Sequence, residues 1–136
     1  FVDAPWHCIV NKNQILEVFL NLFLNAVDSM PSGGCLKVEG VVERPEHKKD
    51  DYLAIRVVDS GSGIRKEHLT RVFERYFTTK AEGTGLGLAV VERIISAHNG
   101  TLNIAAAARD RLLGPYRSRL EGKNDSEIYF WILYKW

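Results

Sequence analysis

With 136 residues, 46% of them apolar, the chain is long enough to bury a hydrophobic core and short enough to do so once, so one domain is expected. Its 18 basic and 17 acidic side chains nearly cancel and form no lysine or arginine block of the kind that follows a phosphate backbone, which argues against nucleic acid as a partner. Cys8 and Cys35 have neither metal-site spacing nor the density of a disulfide scaffold, and no apolar run approaches the ~20 residues that span a bilayer. With no secretory leader pattern either, the expectation is a cytoplasmic chain without membrane contact, or the cytosolic piece of a larger protein.

Asn11, with Gln14 three residues later, resembles a capping box, and the periodic segment that follows runs to Pro31-Ser32-Gly33-Gly34, so Lys12 to Met30 is expected to be a helix. Two β-branched runs, Leu36 to Val42 and Tyr52 to Val58, flank the charged turn Arg44 to Asp51 and predict an antiparallel hairpin. A short amphipathic helix over Lys66 to Phe73 and a mobile stretch from Tyr76 to Gly83 come next. Leu86 to His98 predicts a second long helix, ended by Asn99-Gly100 as a left-handed cap. Strands near Thr101 to Ala105 and Glu127 to Lys135 complete the chain. Hairpin strands mixed with helices indicate an α+β fold, a two-layer sandwich whose mixed, mostly antiparallel sheet is covered on one face by helices.

Along the first helix Glu17, Asn21, Asn25 and Asp28 fall at spacings of four, four and three, which places them on one face. Taken alone, such a stripe reads as the solvent face of a buried helix. Asparagine, however, is a poor interior helix residue, and two of them one turn apart suggest ligation; an amide oxygen is a hard, neutral donor suited to magnesium.

Asp59-Ser60-Gly61-Ser62-Gly63 follows directly on a strand, so a carboxylate sits where glycines let a ligand approach the backbone. That carboxylate can accept a hydrogen bond from an exocyclic amine such as that of adenine, although Asp and Gly also make ordinary turns. Gly83-Thr84-Gly85-Leu86-Gly87-Leu88 leads into a helix and offers backbone N–H groups to a phosphate. It is neither a P-loop nor the opening of a βαβ dinucleotide unit, because the lysine and the preceding strand those need are missing. Lys80 is the cation placed to reach phosphates.

The order of these pieces resembles the histidine-kinase-type ATPase domain, the catalytic ATP-binding module of two-component sensor kinases. Asn21 to Ala26 is similar to the N box of that family, Asp59 to Gly63 to its G1 box, Val72 to Lys80 to its F box and Gly83 to Leu88 to its G2 box. Thr78-Thr79-Lys80 and Asn25 to Met30 look most like the nitrogen-regulation and oxygen-sensing branch. Past Thr101 the agreement weakens, because Ala106 to Ser126 is longer than the usual connection; its four arginines, Arg109, Arg111, Arg117 and Arg119, favour a solvated loop or short helix over a docking surface.

The resemblance implies ATP and Mg2+ as cofactors, with Asn25 the metal ligand and Asn21 nearby on the phosphate side; Asp28, where many sensor kinases carry a lysine or arginine near the phosphates, is counted in the ATP-binding set, with a helix-surface contact as the alternative. Asp59 would bind the adenine amine, Gly61 and Gly63 would shape the base pocket, and Lys80 with Gly83 to Gly87 would hold the phosphates. Ile64, Phe73, Thr84, Gly85, Leu86 and Leu88 complete the implied ATP-binding set. Relatives such as gyrase and the heat-shock chaperones hydrolyse ATP with a glutamate where this chain has Asn21, which cannot serve as a general base. The resemblance therefore implies transfer of the γ-phosphate to a histidine on a separate dimerisation and phosphoacceptor domain, and from there to a response regulator. None of His7, His47, His68 and His98 lies in a phosphoacceptor motif, so residues 1–136 read as one catalytic domain of a larger sensor kinase, monomeric alone and homodimeric at full length. Two rivals remain: a serine kinase of the anti-sigma type, and a nucleotide-sensing module without transfer activity.

Overall fold

The computed structural model describes residues 8–43, 52–81, 83–106 and 128–135. Helix α1 spans Lys12–Ser29 and begins at Asn11, whose side-chain oxygen accepts hydrogen bonds from the N–H groups of Asn13 and Gln14 at 3.1 and 3.2 Å. Two donors that a helix start leaves unpaired are thereby satisfied. The N–H of Asn11 itself donates to His98 Nε2 at 3.1 Å, while Nδ1 of the same ring lies 2.8 Å from the Ile94 carbonyl. His98 thus ties the start of α1 to the end of the second helix.

Strands β1 (Leu36–Glu43) and β2 (Tyr52–Asp59) pair antiparallel as expected, and the turn between them lies outside the described residues. Helix α2 covers Gly87–Ala97. It ends with Asn99 at φ 56°, the Gly100 N–H donating to Ile95 O at 2.9 Å and the Asn99 N–H to Ser96 O at 3.0 Å. This is the left-handed cap that Asn99-Gly100 predicts. Strands β3 (Thr101–Ala106) and β4 (Ile128–Lys135) follow, and the long connection between them again lies outside the described residues. The sheet order is β1-β2-β4-β3 with each neighbouring pair antiparallel.

The expected helix over Lys66 to Phe73 is instead a 3₁₀ turn at Lys66–His68 followed by irregular turns. Its bonds run mostly three residues back, His68 to Arg65, Leu69 to Lys66, Arg71 to His68 and Glu74 to Arg71. Eight residues, three of them the weak helix formers Thr70, Val72 and Phe73, are too few to offset the cost of nucleating an α-helix. Burial of Val72 holds the segment down.

Val18, Leu22 and Ala26 repeat every four residues along α1 and are buried. Val18 and Leu22 meet Val91, Ile94 and Ile95 of α2 and Val57 of β2 in one core, with Leu53 and Ile55 alongside on the helix-facing side of β2. Each fully buried aliphatic side chain there contributes about 1.5–3 kcal/mol. The consequence for the site is positional: α1, the end of β2 and the start of α2 are locked to one another, and their polar ends converge.

Candidate functional site

The polar line of α1 emerges beside this core. Asn21 turns its Nδ2 back to the Glu17 carbonyl at 2.9 Å, and its Oδ1 lies 2.9 Å from where a Cβ on Gly87 would stand. A side chain at Gly87 would therefore collide with Asn21, which is why the second helix can begin against the first. One turn on, Asn25 Oδ1 lies 3.4 Å from Lys80 Nζ, and Asp28 Oδ2 lies 2.7 Å from the same nitrogen.

Asp59 closes β2 and is 3% exposed. Its Oδ1 accepts the Gly61 N–H at 2.9 Å and faces Ser29 Oγ at 3.0 Å. Gly61 packs so closely on Ser29 that a Cβ would overlap the hydroxyl, and Gly63 has φ 73°, a left-handed conformation that favours glycine. The loop is pinned elsewhere too. The Ser62 N–H donates to Ser29 O at 3.0 Å, the Ser60 N–H to Cys35 O at 3.0 Å, and the Cys35 N–H to Ser60 Oγ at 2.9 Å.

The third wall follows the 3₁₀ turn. The Phe77 ring carries Arg71 Cζ 4.5 Å from its centroid and the His68 ring edge-on at 5.4 Å. Tyr76 has φ 67° and donates its N–H to Gly85 O at 2.9 Å, while Gly85 has φ 66°. A Cβ on Gly85 would strike the Tyr76 backbone. Thr78 Oγ1 accepts the Lys80 N–H at 3.1 Å, which shapes the turn that carries Lys80.

These walls enclose an open cleft of about 600 Å³, within the ordinary size of a small-molecule site. Of the residues expected from the sequence, Asn21, Asn25, Asp28, Asp59, Gly63, Ile64, Lys80, Gly83, Thr84, Gly85, Gly87 and Leu88 line it. Gly61, Phe73 and Leu86 do not: Gly61 is packed behind the loop, Phe73 is half-buried outside the lining, and Leu86 precedes α2 on an exposed face. Phe77 takes the aromatic place in the wall, and Ser29, Arg65, His68 and Thr79 join it, none of them in the expected set.

Asn25 and Asp28 also offer a test of magnesium. Among the described residues no group of three His, Cys, Asp or Glu side chains could hold a metal alone. Magnesium commonly takes one or two protein oxygens and completes its octahedron with waters and substrate phosphates. Two hard oxygens that already share one cation, the Lys80 ammonium, suit that demand.

The sequence model of the family described as Histidine kinase-, DNA gyrase B-, and HSP90-like ATPase matches residues 10–134. The chain is 42% identical over 94 residues to the sensor histidine kinase ZraS of Salmonella typhimurium, spanning 69% of this chain and 19% of that protein. It is 39% identical over 95 residues to a putative sensor histidine kinase of Rickettsia felis described as NtrY-like, spanning 70% of this chain and 15% of that protein. The chain thus covers about a fifth or less of these curated relatives' length. A solved structure of the mycobacterial sensor histidine kinase MprB superposes with a TM-score of 0.74 at 24% identity, over 97% of this chain and 78% of that one, which speaks to the fold. No helix among the described residues is long and apolar enough to cross a membrane.

Proposed function

The chain belongs to the histidine kinase-, DNA gyrase B- and HSP90-like ATPase family, and from that premise we propose that it binds ATP with magnesium and presents the γ-phosphate to a histidine on a separate domain. The observation that carries the reading is the convergence of α1, the loop after Asp59 and the glycine segment before α2 on one cleft.

In this reading Asp59 accepts a hydrogen bond from the adenine amine, and Gly63 lets the base approach the backbone, while Gly61 makes room for Ser29 behind the loop. Lys80 and the N–H groups from Gly83 to Gly87 receive the phosphates, helped by the positive end of the α2 dipole. Asn25 holds the magnesium ion and Asp28 stands beside it; the ion, when bound, neutralises charge on the phosphates. The Lys80 ammonium has three donors, so it can serve a phosphate beside the Asp28 and Asn25 oxygens it already meets.

Hydrolysis finds no base at the position on α1 that would need one. Asn21 stands where a glutamate would be needed, and its amide is committed to the Glu17 carbonyl. Phosphoryl transfer depends mainly on positioning and charge neutralisation, so the residues here suffice to present the phosphate to a nucleophile supplied from elsewhere. The bond from the γ-phosphorus to the β–γ bridging oxygen breaks, a phosphorus–nitrogen bond forms on an imidazole, the imidazole proton leaves and ADP departs.

The partners proposed are a dimerisation domain carrying that histidine and a response regulator downstream. The whole kinase is proposed as a cytoplasmic or membrane-tethered homodimer of which this chain is one domain, monomeric alone.

Calorimetric titration of the chain with AMPPNP, with and without Mg2+, tests the core of the reading. Magnesium should strengthen binding, Asp59→Asn should weaken it by about a hundredfold, and Asn25→Ala should remove most of the magnesium dependence. Binding indifferent to all three changes would sink it. Supplying the chain with ATP and a separate phosphoacceptor hairpin then asks where phosphate goes: acid-labile label on histidine supports the kinase reading, acid-stable label on serine a serine kinase, and no transfer a sensing module.

A further inference from the structure

Ser29 is the last residue of α1, one turn beyond Asn25, where its hydroxyl meets both a carbonyl of the helix end and the loop beyond it. Serine is a poor interior helix residue because its oxygen competes for backbone groups. Here Oγ lies 2.7 Å from the Ala26 carbonyl and 3.0 Å from Asp59 Oδ1. One hydroxyl hydrogen serves both, and a carboxylate oxygen is the stronger acceptor of the two. The same Oδ1 receives the Gly61 N–H at 2.9 Å, so two donors from different parts of the chain fix that oxygen.

The surroundings leave the hydroxyl little room to do anything else. Gly61 lacks the Cβ that would displace Ser29 Oγ, and the Ser29 carbonyl accepts the Ser62 N–H at 3.0 Å. The end of α1 therefore grips the loop twice, through its backbone at Ser62 and through its side chain at Asp59. Asp59 is 3% exposed, so an alternative orientation of its carboxylate would have to be found inside the protein rather than in water.

We infer that Ser29 is a positioning residue for base selection: its hydroxyl holds the Asp59 carboxylate in the orientation that receives an exocyclic amine. The inference rests on the ATP-binding reading above and adds a member to its site. A carboxylate turned about its own axis presents its lone pairs in the wrong direction, and a misdirected hydrogen bond in a buried site loses most of its worth. Preference for an aminopurine would then depend on a serine thirty residues from the aspartate that makes the contact.

The test compares ADP with inosine diphosphate, which have the same phosphates and differ at the purine 6-position, an amine in one and an oxo group in the other. Both are titrated with Mg2+ into the complete chain by NMR. Ser29→Ala should weaken ADP about tenfold, the usual worth of a hydrogen bond to a charged group, and leave inosine diphosphate unchanged. Ser29→Thr, which keeps the hydroxyl, should restore most of the loss. Equal weakening of both nucleotides, or full ADP affinity in Ser29→Ala with a wild-type thermal melt, would overturn the inference. Asp59→Asn separates the two levels of argument. If it weakens ADP while Ser29→Ala does not, the serine inference alone fails. If neither variant changes ADP binding, the ATP-binding reading fails with it.

Discussion

Lys80 Nζ lies 2.7 Å from Asp28 Oδ2 and 3.4 Å from Asn25 Oδ1, so the turn that carries Lys80 is tied to helix α1 beside the cleft. Both members of the ion pair are about half exposed, 43% for Lys80 and 54% for Asp28. Exposed pairs of this kind contribute about 0–1 kcal/mol to stability, because water screens them and two long side chains must be ordered. Lys80→Ala should accordingly leave the melting temperature within about 3 °C of the parent. If Lys80 serves the phosphates, the same change should weaken AMPPNP about tenfold and ADP less. Thermal melts beside paired titrations check both halves, and equal losses for the two nucleotides would remove Lys80 from the terminal phosphate.

Gly85 makes a second, local demand. At φ 66° an alanine pays about 1–2 kcal/mol for the left-handed conformation, and its Cβ would also strike the Tyr76 backbone. Gly33 has φ 88° with open space around it, so Gly33→Ala meets the conformational cost alone. Gly85→Ala should break the Tyr76 N–H bond to Gly85 O and raise hydrogen exchange at the Tyr76 amide; Gly33→Ala should not. AMPPNP affinity should fall at least about fivefold in the first variant only. Unchanged exchange at Tyr76 in Gly85→Ala would show that the segment has another way to close.

Much of this architecture is legible in the sequence because its causes are local. The Asn11 cap, the four-residue repeat of Val18, Leu22 and Ala26, the hairpin strands and the Asn99-Gly100 cap each depend on neighbours within a turn or two. The glycine loops and Asp59 are legible for the same reason. Lys66 to Phe73 misleads because apolar spacing cannot separate a short α-helix from a 3₁₀ turn followed by bends. Ser29 escapes notice because its importance arises from a partner far along the chain, Asp59, whereas Phe77 falls within the F-box stretch Val72 to Lys80 but Phe73 is expected in its place, since spacing does not say which ring turns toward Arg71 and His68. A serine at the end of a helix, one turn past a candidate metal ligand, was the available signal.

Within α1, neighbouring leucines should behave very differently. Leu22 is fully buried among Val57, Val91 and Ile95, whereas Leu20 is 55% exposed. Leu22→Ala removes buried methyl groups and leaves a cavity, costing about 2.5–5 kcal/mol. Leu20→Ala should cost no more than about 0.5 kcal/mol, since alanine is also the better helix former. Urea denaturation of both variants measures the difference. Comparable losses would mean that the exposed face of α1 is covered in solution.

The two thiols provide a last check, on the loop rather than the core. Cys8 is half-buried, and burial pushes its thiol pKa up, because the thiolate loses hydration that the surrounding apolar groups cannot replace. Cys35 is exposed and sits beside Ser60, joined to it through both backbone groups. Thiolate is the species that alkylates, so a maleimide at pH 7.5 should label Cys35 first, with Cys8 slower by about tenfold. The difference should narrow as pH rises, since a higher pH recovers the thiolate that burial suppresses. Because Cys35 is bonded to the loop that carries Asp59, saturating AMPPNP should also slow its labelling if nucleotide rigidifies that loop, leaving the Cys8 rate unchanged. Mass spectrometry of a time course, with and without nucleotide, reads all four rates, and faster labelling of Cys8 would contradict the packing of Cys8 against the core.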